Sequence, residues 1–229
     1  VSALLSAPTS RPLAGTKAVI TAGPTREAID PVRFITNRSS GKQGYAVATA
    51  LRDLGADVTL ISGPVALPAP AGVTRVEVET AEQMLAATLQ SAAGADLLVA
   101  AAAVADYRMT DVAAHKIKKH SDTLSLALQR NPDILATVRA AQPGLFMVGF
   151  AAETERLAEH ARDKLARKHL NLIAANQVGA GLAFDVDTNA LQVFWADGQQ
   201  AIAQGSKQAV AHQLAELIAH HYLKATPAA

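Results

Sequence analysis

The sequence predicts a three-layer, Rossmann-like α/β fold, in which a mostly parallel sheet carries helices on both faces and is extended by mixed strands. Short apolar segments alternate with helical patterns along the 229 residues, as in βαβ units. Several of these segments are continuously apolar, which is typical of strands buried on both faces. Polar or small-residue motifs follow the predicted strands directly, at the sheet edge where such folds bind ligands.

The first half of the chain supplies the predicted centre of the sheet. Its β-branched and apolar segments predict strands at residues 17–23, 57–63, 74–79 and 95–103. Its apolar periodicity predicts helices over about 41–54 and 80–94. Ser39 and Ser40 are candidate N-caps of the first helix, and Gly55 is its stop signal. The second helix opens on Thr80 and Gln83, the spacing of a capping box.

The second half repeats the alternation of strands and helices. Strands are predicted at residues 122–129, 145–153, 171–176 and 189–198. Helices are predicted over residues 131–144, 156–169 and 206–223. Pro132 suits the first turn of the earliest of these helices. The strands around 124–128 and 190–195 alternate and are more polar, so we expect them at a mixed edge or extension of the sheet.

Composition excludes several classes of function. Half of the residues are hydrophobic (50%) and 18% are charged, as in packed globular proteins. The chain contains no cysteine, which excludes disulfides, thiolate metal sites and a cysteine nucleophile, and fits a reducing compartment such as the cytoplasm. The net charge of +1 offers no field for nucleic acid or a membrane surface. The longest apolar run, at 95–106, is shorter than the roughly 20 residues that span a bilayer.

The predicted organisation is a single domain over residues 17–223. Residues 1–16 are rich in Ser, Ala and Pro without periodicity and are predicted to be a linker remnant. Residues 224–229 are predicted to be a disordered tail. Because the sequence starts with Val1 rather than Met, we expect it to be processed or cut from a longer polypeptide.

The segment "ITNRSSGKQG" is similar to a phosphate-binding loop but departs from its pattern. Thr36 stands where the first glycine is required, and Gln43 rather than Ser or Thr follows Lys42. Backbone N–H groups at the following helix N-terminus could bind an anion. Alternatively, the segment is a capped helix whose small residues serve packing. Asn37 is either a turn residue or a donor aimed at developing charge.

Further polar residues follow the later strands. Asp106 could bind a hard cation or hydroxyl groups, or cap a helix or turn. Lys116 lies in the basic segment "HKIKKH", which is either a solvated face or a loop that closes on an anion. The two histidines of that segment fit no zinc spacing. Lys164 and Lys168 share one helix face, where they either pair with acids such as Glu159 or bind one polyanion.

The sequence lacks the fingerprints of several common enzymes: G-x-G-x-x-G after a strand, H-E-x-x-H, G-x-S-x-G and the kinase set. A basic, cation-capable site in a Rossmann-like sheet remains, which favours nucleotide chemistry.

Seven ordered blocks resemble one known family. They are "TAGPTREAIDPVRFITNRSSGKQGYAVA", "AAAVADYR", "KIKK", "NPDIL", "VGFAAET", "KLARKHLNLIAAN" and "FDVDTNAL", and the resemblance spans about residues 17–223. They are similar to bacterial phosphopantothenate–cysteine ligase. The resemblance implies that 4′-phosphopantothenate reacts with CTP, assisted by Mg²⁺, to give an acyl-cytidylate and pyrophosphate. L-cysteine then displaces CMP to give 4′-phosphopantothenoyl-cysteine.

The same resemblance implies the roles of individual residues. Lys116 would be needed to form the acyl-cytidylate, and Asn37 would bind it through an amide that hydrogen-bonds the acyl carbonyl. Arg33 would contact phosphopantothenate or close over the intermediate, and Asp106 would be the metal ligand. The helix N-terminus at Ser39, Ser40, Gly41 and Lys42 would cradle phosphate. The nucleotide pocket would comprise Ala100, Ala101, Ala102, Asp106, Lys116, Pro132, Asp133, Ile134, Leu135, Phe150, Lys164 and Lys168.

The resemblance also implies partners. It predicts a homodimer in which the segment near Asn37 contributes across the interface, and a flavin-dependent decarboxylase domain fused N-terminally in the parent chain. This chain itself is expected to bind no flavin. Asn171 departs from the pattern, because Asp is expected there, but it keeps a turn-capable side chain and should not abolish activity. A Rossmann-type oxidoreductase that binds NADPH, or a nucleotide sensor without turnover, are the alternative functions.

Overall fold

The computed structural model describes residues 11–119, 122–177 and 187–226. The strands of this part are β1 Lys17–Ala22, β2 Arg26–Ala28, β3 Phe34–Thr36, β4 Asp57–Ser62, β5 Thr74–Glu77, β6 Leu97–Ala100, β7 Tyr107–Met109, β8 Leu128–Arg130, β9 Phe146–Glu153, β10 Leu172–Gln177, β11 Thr188–Trp195 and β12 Gly198–Ser206. Its helices are α1 Lys42–Asp53, α2 Ala81–Ala92, α3 Ile134–Ala141, α4 Leu157–Arg167 and α5 Lys207–Ala225.

An eight-stranded sheet forms the centre of the molecule, with the order β12-β11-β10-β9-β6-β1-β4-β5. Strands β10, β9, β6, β1, β4 and β5 run parallel, whereas β11 and β12 are antiparallel additions at one edge. The predicted Rossmann-like sheet with a mixed extension is therefore confirmed. The chain proceeds outward from β1 through β4 and β5, and then returns to the other side of β1 at β6. The carboxyl ends of β1 and β6 therefore form the switch point.

Helices cover both faces of this sheet. One core layer joins sheet residues such as Ile20 and Leu60 to Leu51 of α1 and Leu214 of α5. The opposite layer joins further sheet residues to Met84 of α2, Val138 of α3 and Leu165 of α4. The strands at the centre are buried on both faces because each face packs against a helical layer, which explains their continuously apolar sequences.

The helix ends follow the sequence signals in part. Thr80 and Gln83 form the predicted capping box of α2. The expected serine cap of α1 is wrong: Gly41 is the N-cap in the left-handed region (φ 74°), with no capping side-chain hydrogen bond. Ser39 instead accepts a hydrogen bond through its Oγ from the Gly41 N–H at 3.3 Å. The left-handed turn replaces the serine cap because Gly41, unlike Ser, adopts positive φ without strain.

Several boundaries differ from the sequence prediction. Of the strand predicted at 122–129, only Leu128 and Gln129 are extended, as part of the short β8. Strand β12 was missed because it is a polar edge strand, in which Ile202 is the buried residue. Leu13, predicted to lie in a linker, is fully buried and its N–H bonds Leu54 O at 2.9 Å. Helix α5 continues to Ala225, into the predicted tail. The remaining linker and tail residues, 1–10 and 227–229, lie outside the described residues.

Two small antiparallel sheets, β2-β3 and β7-β8, project from the carboxyl edge of the main sheet and were not predicted. Each of their strands has three residues, too short to show a period. Among the described helices, none combines the length and the apolar character needed to cross a membrane.

Candidate active site

Two adjoining cavities open at the switch point. The larger, of about 650 Å³, lies between the end of β6, the end of β9 and helices α3 and α4. The smaller, of about 370 Å³, lies between the end of β6 and the N-terminus of α1. The two share Ala102, Val104, Phe150 and Lys164 in their walls. They therefore adjoin each other at the end of β6.

Backbone pairing holds this region together beyond the strands themselves. Ala103 donates its N–H to Gly23 O at 2.9 Å and accepts one from the Thr25 N–H at 3.3 Å. Thr25 Oγ1 accepts from the Ala105 N–H at 2.9 Å. The alanine-rich segment after β6 is thus a rigid wall of small side chains, which leaves room for a ligand as its sequence predicted.

The predicted nucleotide residues largely line the larger cavity. These are Ala100, Ala102, Asp106, Pro132, Asp133, Ile134, Leu135, Phe150, Lys164 and Lys168. The smaller cavity takes the remaining residues of the first motif together with Ala101: Asn37, Ser39, Ser40, Gly41 and Lys42. Residues far apart in sequence therefore meet around two adjoining cavities.

Asn37 stands at the wall between β6 and α1. Its Nδ2 donates to Ala103 O at 3.3 Å and to Val104 O at 3.0 Å. Nδ2 is thus already engaged by two backbone carbonyls, so donation from this amide to an acyl carbonyl would replace one of these bonds and stays a prediction. The group that Asn37 offers to a ligand is its Oδ1, an acceptor.

The glycines of the first motif have a packing role. A Cβ on Gly44 would lie 2.6 Å from the Ala22 Cβ, and one on Gly41 would lie 3.0 Å from Val65 Cγ1. Close packing of α1 against β1 therefore requires Gly44, whereas Gly41 packs against the loop after β4 with a positive φ that favours glycine. The N-terminus of α1 nevertheless faces the smaller cavity, where its unpaired N–H groups and dipole favour an anion. The packing role is therefore observed, and it leaves the predicted anion-binding role open to the same segment.

Lys164 and Lys168 both face the larger cavity, from the last turn of α4 and its C-cap. Lys164 Nζ donates to Phe150 O at 2.8 Å, and burial lowers the pKa of its ammonium despite nearby Glu153 and Asp133. A bound phosphate would reverse that shift, because it supplies the opposite charge that the buried ammonium needs. Glu159, the acid suggested from the sequence, pairs instead with Arg156.

Asp133 joins helix α3 to this basic pair. Its Oδ1 accepts from the Ala136 N–H at 3.0 Å, so Asp133 is the N-cap of α3. Its Oδ2 forms an ion pair with Lys168. Burial opposes ionisation here, but the hydrogen bonds from Lys168 and Ala136 prevail and lower the pKa of Asp133. The carboxylate therefore holds Lys168 at the cavity wall.

Asp106 lines the larger cavity from the turn between β6 and β7. It caps no described helix, since α3 is the next helix along the chain and Asp133 caps it. Within the described residues no group of three or more His, Asp or Glu side chains could hold a metal. Mg²⁺ is usually held by one or two carboxylates plus substrate phosphates. Of the three carboxylates that line the cavity, Asp133 is paired with Lys168 and Glu153 with His160. Asp106 is therefore the carboxylate that fits a metal arriving with its nucleotide.

Lys116 and Arg33 lie outside both cavities. Lys116 is exposed in the loop after β7, and His120 of the same basic segment lies outside the described residues. Arg33, in the turn between β2 and β3, pairs with Asp30 at 2.5 Å. It also donates through Nη2 to Ile117 O at 2.9 Å. The structure thus brings Arg33 next to the Lys116 loop, but leaves both side chains away from the cavity walls.

Sequence reasoning missed one basic residue of the smaller cavity, Lys207. Its side chain is 6% exposed, and it occupies the first position of α5. Asp187, whose pKa is lowered by Lys42 and also by Lys207, places a carboxylate between these two lysines. One sequence feature could have identified Lys207: it directly follows the N-cap Ser206, at a helix N-terminus where the helix dipole disfavours a cation.

Asn171, the departure noted above, lies away from the cavities. Its Oδ1 accepts from the Met147 N–H at 2.8 Å and from Arg139 Nη2 at 3.3 Å. Burial lowers the pKa of the Arg139 guanidinium, whose Nε is buried without a hydrogen-bond partner among the described residues. Asn171 therefore ties β9 to the turn before β10, and its replacement of Asp affects packing rather than the site.

The chain is similar to known proteins over most of its length. The family described as DNA/pantothenate metabolism flavoprotein C-terminal domain matches residues 13–222. The chain is 50% identical over 210 residues to the coenzyme A biosynthesis bifunctional protein CoaBC of Vibrio cholerae, covering 90% of this chain and 53% of that protein. It is 48% identical over 194 residues to CoaBC of Bacillus subtilis, covering 84% and 48%. It thus spans about half the length of these curated relatives.

Solved structures share the fold. The crystal structure of the C-terminal domain of CoaBC is 40% identical, with a TM-score of 0.79 over 92% of this chain and 97% of that one. The DNA/pantothenate metabolism flavoprotein from Streptococcus pneumoniae is 25% identical, with a TM-score of 0.76 over 89% and 98%. A Cab2 mutant in complex with phosphopantothenate-cysteine, 16% identical with a TM-score of 0.78 over 92% and 87%, has the same fold.

Proposed function

Since the chain belongs to the DNA/pantothenate metabolism flavoprotein C-terminal domain family, we propose that it is a CTP-dependent phosphopantothenate–cysteine ligase. One observation carries the proposal: two adjoining cavities at the switch point bring the predicted nucleotide residues next to Asn37 and the N-terminus of α1. Its relatives are named for coenzyme A biosynthesis, which is the pathway that such a ligase serves.

The larger cavity has the size and lining for a nucleotide. Its volume of about 650 Å³ lies in the range of about 300–1,000 Å³ usual for small-molecule sites. Ile134, Leu135 and Phe150 offer apolar surface for a base, while Lys164 and Lys168 offer positive charge for phosphates. The phosphate chain then extends into the smaller cavity, towards the N-terminus of α1.

The proposed reaction has two steps. In the first, a carboxylate oxygen of 4′-phosphopantothenate attacks the α-phosphorus of CTP, and the bond to the bridging oxygen breaks to release pyrophosphate. In the second, the amine of cysteine attacks the acyl carbon, the bond to CMP breaks, and the nitrogen loses a proton. The first step brings two anions together, so the protein's main task is charge stabilisation. Lys116, Lys164 and Lys168 supply it, with Lys116 reaching in from its loop.

Asn37 acts in the second step. Because its Nδ2 is bonded to Ala103 O and Val104 O, its Oδ1 is positioned to accept an N–H of the attacking amine. The neutral amide orients the nucleophile without placing a negative charge beside the mixed anhydride.

Asp106 would be the protein's ligand to Mg²⁺, the remaining ligands coming from the triphosphate and water. When bound, the ion would neutralise charge on the β- and γ-phosphates and so assist departure of pyrophosphate.

An exposed apolar face supports the homodimer. Seven large hydrophobic residues are exposed in the described part of the chain, and six belong to the small sheets and their loops: Val32, Phe34, Tyr107, Val112, Leu124 and Leu128. Concentrated exposed apolar surface marks an interaction site. The face lies beside Arg33 and the Lys116 loop, so a second copy would complete the site there. A flavin-dependent decarboxylase domain fused N-terminally, and a cytoplasmic location where CTP and cysteine are available, belong to the same proposal.

Pyrophosphate release tests the proposal. The protein is mixed with phosphopantothenate, Mg²⁺ and each of CTP, ATP, GTP and UTP, with and without cysteine. We expect release with CTP that requires phosphopantothenate, and CMP release that also requires cysteine. A folded protein that binds CTP but releases nothing would be a nucleotide sensor instead. Binding of NADPH without pyrophosphate release would indicate an oxidoreductase.

A further inference from the structure

We propose that Asp30 is a positioning residue that, together with Arg33, clamps the backbone of Ile117 and thereby fixes the base of the Lys116 loop. The inference rests on the proposed function, in which Lys116 forms the acyl-cytidylate. It adds a residue and a mechanical link that the reaction chemistry alone does not require.

Asp30 is a buried carboxylate with several donors around it. Its side chain is fully buried, between β2 and β3. Its Oδ1 accepts from the Val32 N–H at 2.8 Å and the Arg33 N–H at 2.9 Å. Its Oδ2 accepts from Arg33 Nε at 3.0 Å and from the Ile117 N–H at 3.1 Å. The hydrogen bond from Arg33, aided by these backbone donors, holds the pKa of Asp30 far below its usual range, so the group is charged at neutral pH.

Arg33 completes the clamp from the other side. Its Nη2 lies 2.5 Å from Asp30 Oδ2 and 2.9 Å from Ile117 O. The N–H and the carbonyl of one residue, Ile117, are therefore both held by a single ion pair. The planar guanidinium can serve the carboxylate and the carbonyl at once because its donors form a rigid fork. A further bond, from Ala113 N–H to Ile29 O at 3.1 Å, ties the start of the loop to the same turn.

The clamp acts on the residue next to Lys116. Fixing the Ile117 backbone sets where the exposed Lys116 side chain begins, while its four-carbon stem remains free to swing towards a phosphate. Three lysines lie within the four residues 116–119 and repel one another. Without the Asp30–Arg33 clamp this repulsion would favour an extended loop with many conformations. The Asp30–Arg33 pair opposes this by holding the segment through backbone groups, without using any lysine as a partner.

The clamp predicts a change in backbone exposure that needs no substrate. In Asp30→Asn the new Nδ2 cannot accept a hydrogen bond from the Ile117 N–H or from the Arg33 guanidinium. Because charge-assisted hydrogen bonds are lost, trypsin should cut the folded protein after Lys116 and Lys118 at least about tenfold faster. Mass spectrometry identifies the sites. Asp111→Asn, at an exposed carboxylate in the same loop, is the matched control and should leave the cleavage rate unchanged. Arg33→Lys, which keeps the charge but loses the fork, should accelerate cleavage in the same direction.

A double-mutant cycle then separates positioning from a general effect on folding. Asp30→Asn should lower the rate of CTP-dependent pyrophosphate release about tenfold in the wild-type background, and should cause no further loss once Lys116→Gln is present. Additive losses, or unchanged cleavage after Lys116 in both Asp30→Asn and Arg33→Lys, would overturn the clamp. A failure of the proposed function would give a different result, because the wild-type protein would then release no pyrophosphate. The trypsin cleavage rates would still show whether the Asp30–Arg33 clamp exists.

Discussion

Asn37→Asp separates the two halves of the proposed reaction. The substitution keeps the shape of the side chain and replaces the Nδ2 amide by a second carboxylate oxygen. That oxygen would face the carbonyls of Ala103 and Val104, which now accept hydrogen bonds at 3.3 and 3.0 Å. Two attractive contacts thus become two repulsive ones, and a negative charge is placed beside the anionic acyl-cytidylate.

The size of the effect follows from these contacts. In the free variant the carboxylate turns away from the two carbonyls, so returning it to the productive orientation costs about the two lost hydrogen bonds, about 1 kcal/mol each or about 2 kcal/mol, and repulsion of the new charge adds to it. A total of about 2–3 kcal/mol corresponds to a roughly 30- to 150-fold fall in the rate of amide formation. The first half-reaction should be affected less, because the attacking carboxylate and the α-phosphate are stabilised by the lysines rather than by Asn37.

The assay measures pyrophosphate and 4′-phosphopantothenoyl-cysteine in the same reaction. For Asn37→Asp we expect pyrophosphate release to persist while amide product falls. Asn171→Asp is the matched control, because it adds the same charge away from the cavities. Normal amide yield from Asn37→Asp would refute the role of Asn37, and an equal fall in both products would show that it acts in the first step.

Three further substitutions test other parts of the molecule. Lys116→Gln should lower the rate of pyrophosphate release by about 100-fold or more, measured by rapid quench, while equilibrium binding of CTP persists. Lys118→Gln, the control, should leave the rate of release unchanged. Lys207→Met should raise the KM for CTP about tenfold through loss of a buried ammonium at the smaller cavity, whereas Lys224→Met, at the exposed end of α5, should leave it unchanged. Asn171→Asp should stabilise the protein by about 1 kcal/mol, raising Tm by about 2–4 °C, because a carboxylate is a better partner for Arg139. Since Arg139 would lower the pKa of that carboxyl in the folded state, the gain should be present above about pH 4 and disappear as the pH falls through the lowered value; a gain that persists in acid would contradict the ion pair.

The sequence predicted the central sheet well because strands buried on both faces have the clearest pattern. Strand β6 is apolar throughout, β1 and β9 contain continuous apolar runs, and β4 has Thr59 inside its apolar run; each strand ends in a small or polar motif. The site followed from this, since motifs that come after parallel strands must meet at one edge. The sequence could not predict which hydrogen-bond partners the polar side chains at that edge would have. The partners of Asn37 are backbone carbonyls, which carry no sequence signature.

The wrong strand at 122–129 has a physical explanation. Leu124, Leu126 and Leu128 alternate as they would in a half-buried strand, yet Leu124 is 57% exposed and Leu128 is 44% exposed. The pattern correctly identified an apolar side of the segment, but nothing in the described part of the chain covers Leu124 and Leu128. With Phe34 and Tyr107 they form the apolar face on which the homodimer proposal depends. Periodicity reports which face of a segment is apolar, not which molecule covers it.

The similarity of "ITNRSSGKQG" to a phosphate loop also has a physical explanation in the packing of the fold. At the switch point three connections cross at close range: Gly44 packs on Ala22, Gly41 lies against Gly23, and a Cβ on Gly63 would meet Pro24 O at 1.7 Å. Small residues are needed there for the fold itself. Yet the close approach that they permit is what brings the N-terminus of α1 within one cavity of Asn37 and Lys207. Packing and the proposed anion binding are therefore compatible explanations of the motif, because the packing shapes the cavity in which an anion would bind.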